Sequence, residues 1–283
     1  MSAAAGSKPA PLAHPPHLSR LESSTHRHAI VEHLQIEVSD AYPVSFVPGY
    51  LHLPPAFTSA KDQSHHQTAA ILLSGAGGGV VGPSSIYLSL ACKLASLPVG
   101  IPTLRLDYRY PARNKPCCND VLAAMQYLQD MYSLSRFVLV GWSFGGAPVF
   151  TVGGQDQRVM GCATVASQTA ETEGIRNLSP RPVLLLHGTG DRTLSDYCSR
   201  RLYDMYGGKG ERRLELFEGD NHALTCHARQ AEELVGEFIA RCAGVGIGEE
   251  ERKGVLGVDV VDYEERRELM ERGGDLRGNE RTE

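Results

Sequence analysis

The sequence lacks the long apolar run that would span a membrane. No stretch approaches about 18 consecutive apolar residues, so we expect no transmembrane helix. Residues 1–16 also lack an apolar h-region and are therefore not a secretory signal. A weak mitochondrial signal stays open, because no acidic residue precedes Glu22. We expect a cytoplasmic protein.

Cysteines with the spacing of a disulfide framework or a zinc site are also missing. The 7 cysteines are an odd number and form no C-x-x-C pair, a pattern that is typical of reduced thiols. Cys117 and Cys118 are adjacent, which is a poor geometry for holding one metal ion together. The sequence therefore predicts neither a disulfide nor a metal site.

The main part of the chain has no excess charge of either sign. The net charge of −5 lies entirely in residues 248–283, which hold 12 acidic and 7 basic residues, whereas residues 1–247 hold 21 of each. Without a basic stripe, a nucleic acid or an anionic membrane surface is not an expected partner. The sequence does not predict an oligomeric state.

Composition divides the chain into three parts. Residues 1–29 are rich in Pro, Ala, Ser and His without periodicity, which predicts a flexible leader. Residues 30–247 form the predicted domain. Residues 248–283 are a charged tail that we expect to be disordered, although residues 263–272 have the pattern of a short solvated helix with little to bury.

Short apolar runs alternate with helical patterns in residues 30–247. Two leading antiparallel strands are predicted at Ile30–Val38 and Val44–Leu53. Five buried strands follow at Ala69–Leu73, Ile101–Leu106, Phe137–Val140, Val159–Val165 and Val183–Leu186, and residues 212–217 are predicted to form a half-exposed edge strand. Helical spacing follows at residues 121–128, with Asn119 or Asp120 as the cap, and at residues 194–205 and 234–239. This order predicts an α/β fold with a mainly parallel sheet of about eight strands and helices on both faces.

A G-x-S-x-G sequence follows one of the buried strands. Ser143 lies between Gly141 and Gly145, ahead of a helix-like run. A sharp strand-to-helix turn of this kind places a serine in a strained conformation with its hydroxyl exposed. The backbone N–H of Phe144 would then point at a developing oxyanion. We interpret this turn as a nucleophile elbow.

A nucleophilic serine needs a base and an acid that orients the base. Asp191 follows the strand that ends at Leu186, and His222 follows the edge strand, which gives the order Ser, Asp, His. Rival residues stay open at this point. They are Asp196 and Asp220 for the acid, and His187 and His227 for the base.

A glycine-rich loop, Ser74–Gly79, follows the first buried strand. It lacks the lysine of a phosphate-binding loop and the spacing of a dinucleotide fingerprint. We predict that the N–H of Ala76 or Gly77 supplies the second arm of the oxyanion hole, together with Phe144. A plain flexible turn is the alternative.

These motifs resemble those of the α/β-hydrolase superfamily over roughly residues 35–242. The elbow, the acid loop 187–191 and the histidine loop 219–222 carry the resemblance, and residues 106–110 resemble those of small dienelactone-hydrolase-like and S33 aminopeptidase-like members. Ser74 departs from the pattern, because a histidine commonly precedes the first glycine of the loop. Only 17 residues separate Val165 from Val183, so a large lid domain does not fit there.

The resemblance implies a serine hydrolase that acts on a small-molecule ester or thioester and uses no cofactor. Ser143 would attack the acyl carbon, His222 would carry the proton and Asp191 would orient His222. A non-catalytic scaffold protein of the same fold, and a triad enzyme for C–C hydrolysis or acyl transfer, are the alternatives.

Overall fold

One eight-stranded sheet organises the chain. The computed structural model describes residues 11–21, 28–40, 44–57, 67–278 and 280–282. The strands are β1 (Ile30–Val38), β2 (Ser45–Leu53), β3 (Thr68–Leu73), β4 (Thr103–Leu106), β5 (Arg136–Trp142), β6 (Val159–Val165), β7 (Val183–Gly188) and β8 (Arg212–Phe217). Their order in the sheet is β1-β2-β4-β3-β5-β6-β7-β8. β2 pairs antiparallel with β1 and β4, and every pair from β4 to β8 is parallel.

Helices cover both faces of this sheet. They are α1 (Ile86–Ser96), α2 (Asn114–Tyr132), α3 (Gly146–Gln155), α4 (Tyr197–Met205), α5 (Ala228–Ala243), α6 (Glu249–Glu251) and α7 (Tyr263–Gly273). Alternate side chains of β5 enter different cores: Val138 and Val140 pack towards α1 and α5, whereas Phe137 and Leu139 pack towards α2 and α3. Burial on both faces explains why the central strands have continuous apolar sequences. The predicted fold is confirmed.

The predicted strands all form, with shifts of a few residues at their ends. The start of α2 differs more, because the helix begins at Asn114 and not near Asn119 or Asp120. Asp120 cannot cap this helix, since its buried carboxylate accepts hydrogen bonds from the backbone N–H and the guanidinium of Arg109. Pro116 lies in the first helical turn, where a missing N–H costs no hydrogen bond.

The charged tail is not disordered where the structure describes it, which corrects our expectation. Apolar side chains that the charge count concealed are buried in it: Val255, Leu256, Val260, Val261, Leu269 and Met270. All of these except Leu256 belong to the core that also contains residues of α1 and α5. Polar contacts fix the tail as well. Lys93 Nζ donates to the Leu256 carbonyl (2.8 Å), and Arg266 donates to the Ser84 carbonyl (2.6 Å). Burial of the apolar side chains supplies the stability that the helical segment 263–272 lacks alone.

Part of the predicted leader is also ordered. Leu18 and Leu21 are buried in the same core, and the N–H of His17 donates to the Val260 carbonyl. Residues 1–10 and 22–27 of that leader lie outside the described residues. No helix in the described ranges is long and apolar enough to cross a membrane.

Candidate active site

The turn between β5 and α3 has the backbone of a nucleophile elbow. Ser143 has a φ of +54°, a left-handed backbone conformation that residues other than glycine rarely adopt. The glycines around it are required by close contacts. A Cβ at Gly145 would lie 2.6 Å from the Ser74 carbonyl oxygen, and a Cβ at Gly141 would collide with the Gly145 carbonyl. The strained backbone is therefore at Ser143, the position that the G-x-S-x-G motif predicted.

Asp191 and His222 come together at the ends of β7 and β8. His222 Nδ1 lies 2.6 Å from Asp191 Oδ2, and both side chains are fully buried. The two loops are joined by backbone hydrogen bonds, among them Gly190 N–H to the Asp220 carbonyl (2.9 Å). Trp142, the residue before Ser143, donates its indole N–H to the His222 carbonyl (3.0 Å). This last bond attaches the histidine loop to the elbow.

The rival residues have other partners. Asp220 accepts hydrogen bonds from the N–H groups of Asn221, Cys226 and His227, and it also contacts the His227 ring, so it shapes the loop. Asp196 lies at the start of α4 and pairs with Arg200. None of these contacts involves the His222 ring.

His187 supports the acid from below. Its Nε2 lies 3.1 Å from Asp191 Oδ2 and 2.9 Å from the Leu194 carbonyl, and its Nδ1 lies 2.7 Å from Ser199 Oγ. The other carboxylate oxygen of Asp191 accepts the N–H groups of Thr193 and Leu194, each at 2.8 Å. The Asp191 carboxylate is thus fixed by four donors.

These contacts shift both ionisation equilibria. Burial alone would raise the pKa of Asp191, but the hydrogen bonds from His187 and His222 outweigh it and hold that pKa well below its usual range. Burial alone would lower the pKa of His222, but its contacts with the carboxylates of Asp191 and Glu280 raise that pKa above its usual value. An ionised acid beside a basic imidazole is the electrostatic arrangement that a general base requires.

The Ser143 hydroxyl does not yet bond to this base. In the described ranges no hydrogen bond joins Ser143 to His222, and Ser143 is only 5% exposed. The outer nitrogen of the ring, Nε2, lies 3.3 Å from an oxygen of Glu280, near the end of the tail. The structure therefore shows two members of the predicted triad in contact and the third nearby on its elbow.

The glycine-rich loop lies against the elbow, as an oxyanion arm would. Tyr108 donates its hydroxyl hydrogen to the Ser74 carbonyl (3.0 Å), and its ring packs edge-on against Phe144. The N–H of Ala76 donates to the second oxygen of the Glu280 carboxylate. One carboxylate thus contacts both the Ala76 amide and the His222 ring. The Gly77 backbone is covered by Asp275 and Arg277, since a Cβ there would lie 2.6 Å from the Asp275 carbonyl oxygen.

Asp275 and Glu280 have contacts at this site that the sequence did not reveal. Asp275 is buried, and it accepts hydrogen bonds from the Ser74 hydroxyl and from the N–H groups of Val81 and Gly82. No sequence signal marks Asp275 or Glu280, because their contacts span about 200 positions of the chain and depend on the path of the tail.

Arg109 does not line the site. Its side chain is buried in ion pairs with Asp40 and Asp120. The described residues contain one group with metal-ligand spacing, His17 with Asp262 and Glu265. That group joins the N-terminal segment to the start of α7 and includes no member of the predicted triad.

Comparison with known proteins supports the fold. No protein-family model matches the chain, and no curated protein matches it in sequence. Solved structures do match: Est1E from Butyrivibrio proteoclasticus has 16% identity and a TM-score of 0.59, covering 75% of this chain and 99% of its own. A lidless α/β serine hydrolase from Xanthomonas campestris has 14% identity and a TM-score of 0.55, with coverage of 75% and 94%.

A dienelactone hydrolase from Anabaena variabilis is similar as well, with 17% identity, a TM-score of 0.55 and coverage of 72% of this chain and 96% of its own. These likenesses cover 72–75% of the chain at 14–17% sequence identity, so they establish architecture and not chemistry. The chain has the α/β-hydrolase fold, in its form without a large lid domain.

Proposed function

We propose that the chain is a serine hydrolase that cleaves a small-molecule carboxylic ester or thioester through an acyl-enzyme. The observation that carries the proposal is the buried 2.6 Å contact between Asp191 and His222, placed beside a serine at φ of +54°. An oriented imidazole next to a strained serine has little structural benefit, whereas acyl transfer requires both.

The mechanism follows from the contacts of each group. Ionised Asp191 keeps the proton of His222 on Nδ1, so that Nε2 is free to accept the proton of the Ser143 hydroxyl. The Ser143 oxygen attacks the acyl carbon, and the carbonyl oxygen becomes an oxyanion. The N–H groups of Phe144 and Ala76 are the proposed donors to that oxyanion, with Gly77 as the alternative to Ala76.

The second half of the reaction uses the same groups. His222 returns its proton to the leaving alcohol or thiol, which departs and leaves an ester of Ser143. Water then loses a proton to His222 and attacks this ester, which releases the carboxylic acid and restores Ser143. The proposed cycle needs no metal ion or cofactor.

A comparison of the wild type with Ser143→Ala tests the proposal. We expect hydrolysis of p-nitrophenyl acetate and of an acetyl thioester by the wild type, and a loss of about 10³-fold or more in the variant. Equal rates in the two proteins would remove Ser143 from the mechanism. No turnover by either folded protein would favour the alternative of a non-catalytic binding protein, and product analysis with added acceptors would identify acyl transfer.

A further inference from the structure

The tail holds a carboxylate in the position of a reaction product. The Glu280 carboxylate is 4% exposed, and its two oxygens contact the Ala76 N–H and the His222 ring. In the proposed mechanism, these are one oxyanion donor and the catalytic base. The carboxylic acid released by hydrolysis would present its two oxygens to the same pair of groups.

Two further residues hold the same stretch of chain in place. The buried Asp275 carboxylate accepts the Ser74 hydroxyl hydrogen and the N–H groups of Val81 (3.0 Å) and Gly82 (2.7 Å). Arg277 lies 3.5 Å from Asp107, at the end of β4. The contacts of Asp275 therefore lie at both ends of the glycine-rich loop, and the contact of Glu280 with Ala76 lies within it. Arg277 contacts Asp107, which itself accepts the Gly79 N–H.

The loop glycines match this stretch at three alternate positions. A Cβ at Gly75 would collide with the Glu280 carboxylate, one at Gly77 would lie 2.7 Å from the Arg277 carbonyl oxygen, and one at Gly79 would lie 2.5 Å from the Asp275 nitrogen. Side chains at these positions would exclude the tail. The glycines of this loop therefore make room for the tail as well as allowing the turn.

We propose that the part of the tail that carries Asp275, Arg277 and Glu280 is an intramolecular ligand of the active site, an acidic segment that blocks Ser143 from substrate until it is displaced. This inference rests on the proposed function, because it identifies the ligand that occupies the proposed oxyanion site. It also accounts for the low exposure of Ser143 and for the position of Glu280 at His222 Nε2, where the Ser143 hydroxyl would otherwise bond.

The test compares the full chain with a chain shortened to end at Gly274 and with Glu280→Ala. The readout is the rate at which a fluorophosphonate labels Ser143. We expect both changes to raise this rate about tenfold or more, which corresponds to the loss of about 1.4 kcal/mol of docking free energy. Glu268→Ala is the matched control, since its exposed carboxylate on α7 pairs with Arg272, and it should be labelled at the rate of the full chain.

A synthetic peptide of residues 274–282 completes the test. Added to the shortened chain, it should slow the labelling again, whereas the same peptide with Glu280→Ala should not. Equal labelling of the full chain, the shortened chain and Glu280→Ala would overturn the proposal. If the shortened chain does not fold, Glu280→Ala decides, because it leaves the apolar contacts of α7 in place.

Failure of the proposed function gives a different pattern. It would appear as no labelling of Ser143 in any folded variant. Peptide binding to the shortened chain then decides the inference alone, through the fluorescence of Trp142, the single tryptophan, which lies beside Gly75. A fluorescence change that saturates with the peptide, and that is weaker with the Glu280→Ala peptide, supports the intramolecular ligand. No change overturns it.

Discussion

Replacement of Asp191 by asparagine tests the electrostatics of the site with the smallest change in shape. Four donors face this carboxylate: the two histidine rings on Oδ2 and the N–H groups of Thr193 and Leu194 on Oδ1. An asparagine side chain has one NH₂ group, which would face donors in either orientation. Turned towards His222, it would make Nδ1 an acceptor and move the ring proton to Nε2, where it blocks proton transfer from Ser143.

The expected loss in kcat/KM for Asp191→Asn is about 10⁴-fold, or about 5 kcal/mol of transition-state stabilisation. The assay is ester hydrolysis under conditions where KM and kcat are separated, and the loss should lie in kcat, because the acid does not touch the substrate. Asp196→Asn is the control. That carboxylate pairs with Arg200 at the surface, so its loss should leave kcat/KM within about twofold. A kcat/KM for Asp191→Asn within tenfold of the wild type would refute the proposed role of Asp191.

Three further predictions follow from burial and charge. Hydrolysis should increase as pH rises through the raised pKa of His222, because the base must be neutral. Glu280→Ala should move this increase to lower pH, since the variant lacks one of the two carboxylates that raise the pKa of His222. The pH profiles of kcat/KM for the two proteins check this. Docking of the peptide 274–282 should weaken as pH rises through about 7. Burial, together with nearby Asp107, raises the pKa of Asp275 to about 7, so the docked peptide retains a carboxyl proton that the free peptide has lost. Binding titrations at pH 6 and pH 8 measure the difference. Lys93→Met should lower the free energy of unfolding in urea by about 3 kcal/mol, because Glu232 is left buried without that partner. Lys253→Met, which removes an exposed ion pair, is the control and should change the free energy of unfolding by less than about 0.5 kcal/mol.

The apolar strands and the G-x-S-x-G turn were predictable because their signals are local. Burial on both faces makes a strand such as Val159–Val165 continuous in apolar residues, and the elbow requires glycines at fixed offsets from Ser143. The positions of Asp191 and His222 followed from the rule that loops at the carboxyl ends of parallel strands meet. Their roles in catalysis stay a prediction until activity is measured.

The tail was not predictable by the same reasoning. Charge counting suggested disorder, because 19 of the 36 residues from 248 to 283 are charged. The apolar residues among them have no period that reveals what they cover, and they become informative only when α1 and α5 provide the opposite surface. The start of α2 was missed for a related reason. Asp120 precedes an apolar run, as a helix cap does, but in the folded chain it pairs with Arg109.

The central claim is that Ser143 is an activated nucleophile. The most direct measurement treats the full chain and the chain ending at Gly274 with a fluorophosphonate, and locates the adduct by peptide mass mapping. The account predicts one adduct, on Ser143, that forms faster on the shortened chain and is absent from Ser143→Ala. An adduct on another residue, or no adduct on either folded protein, would contradict it.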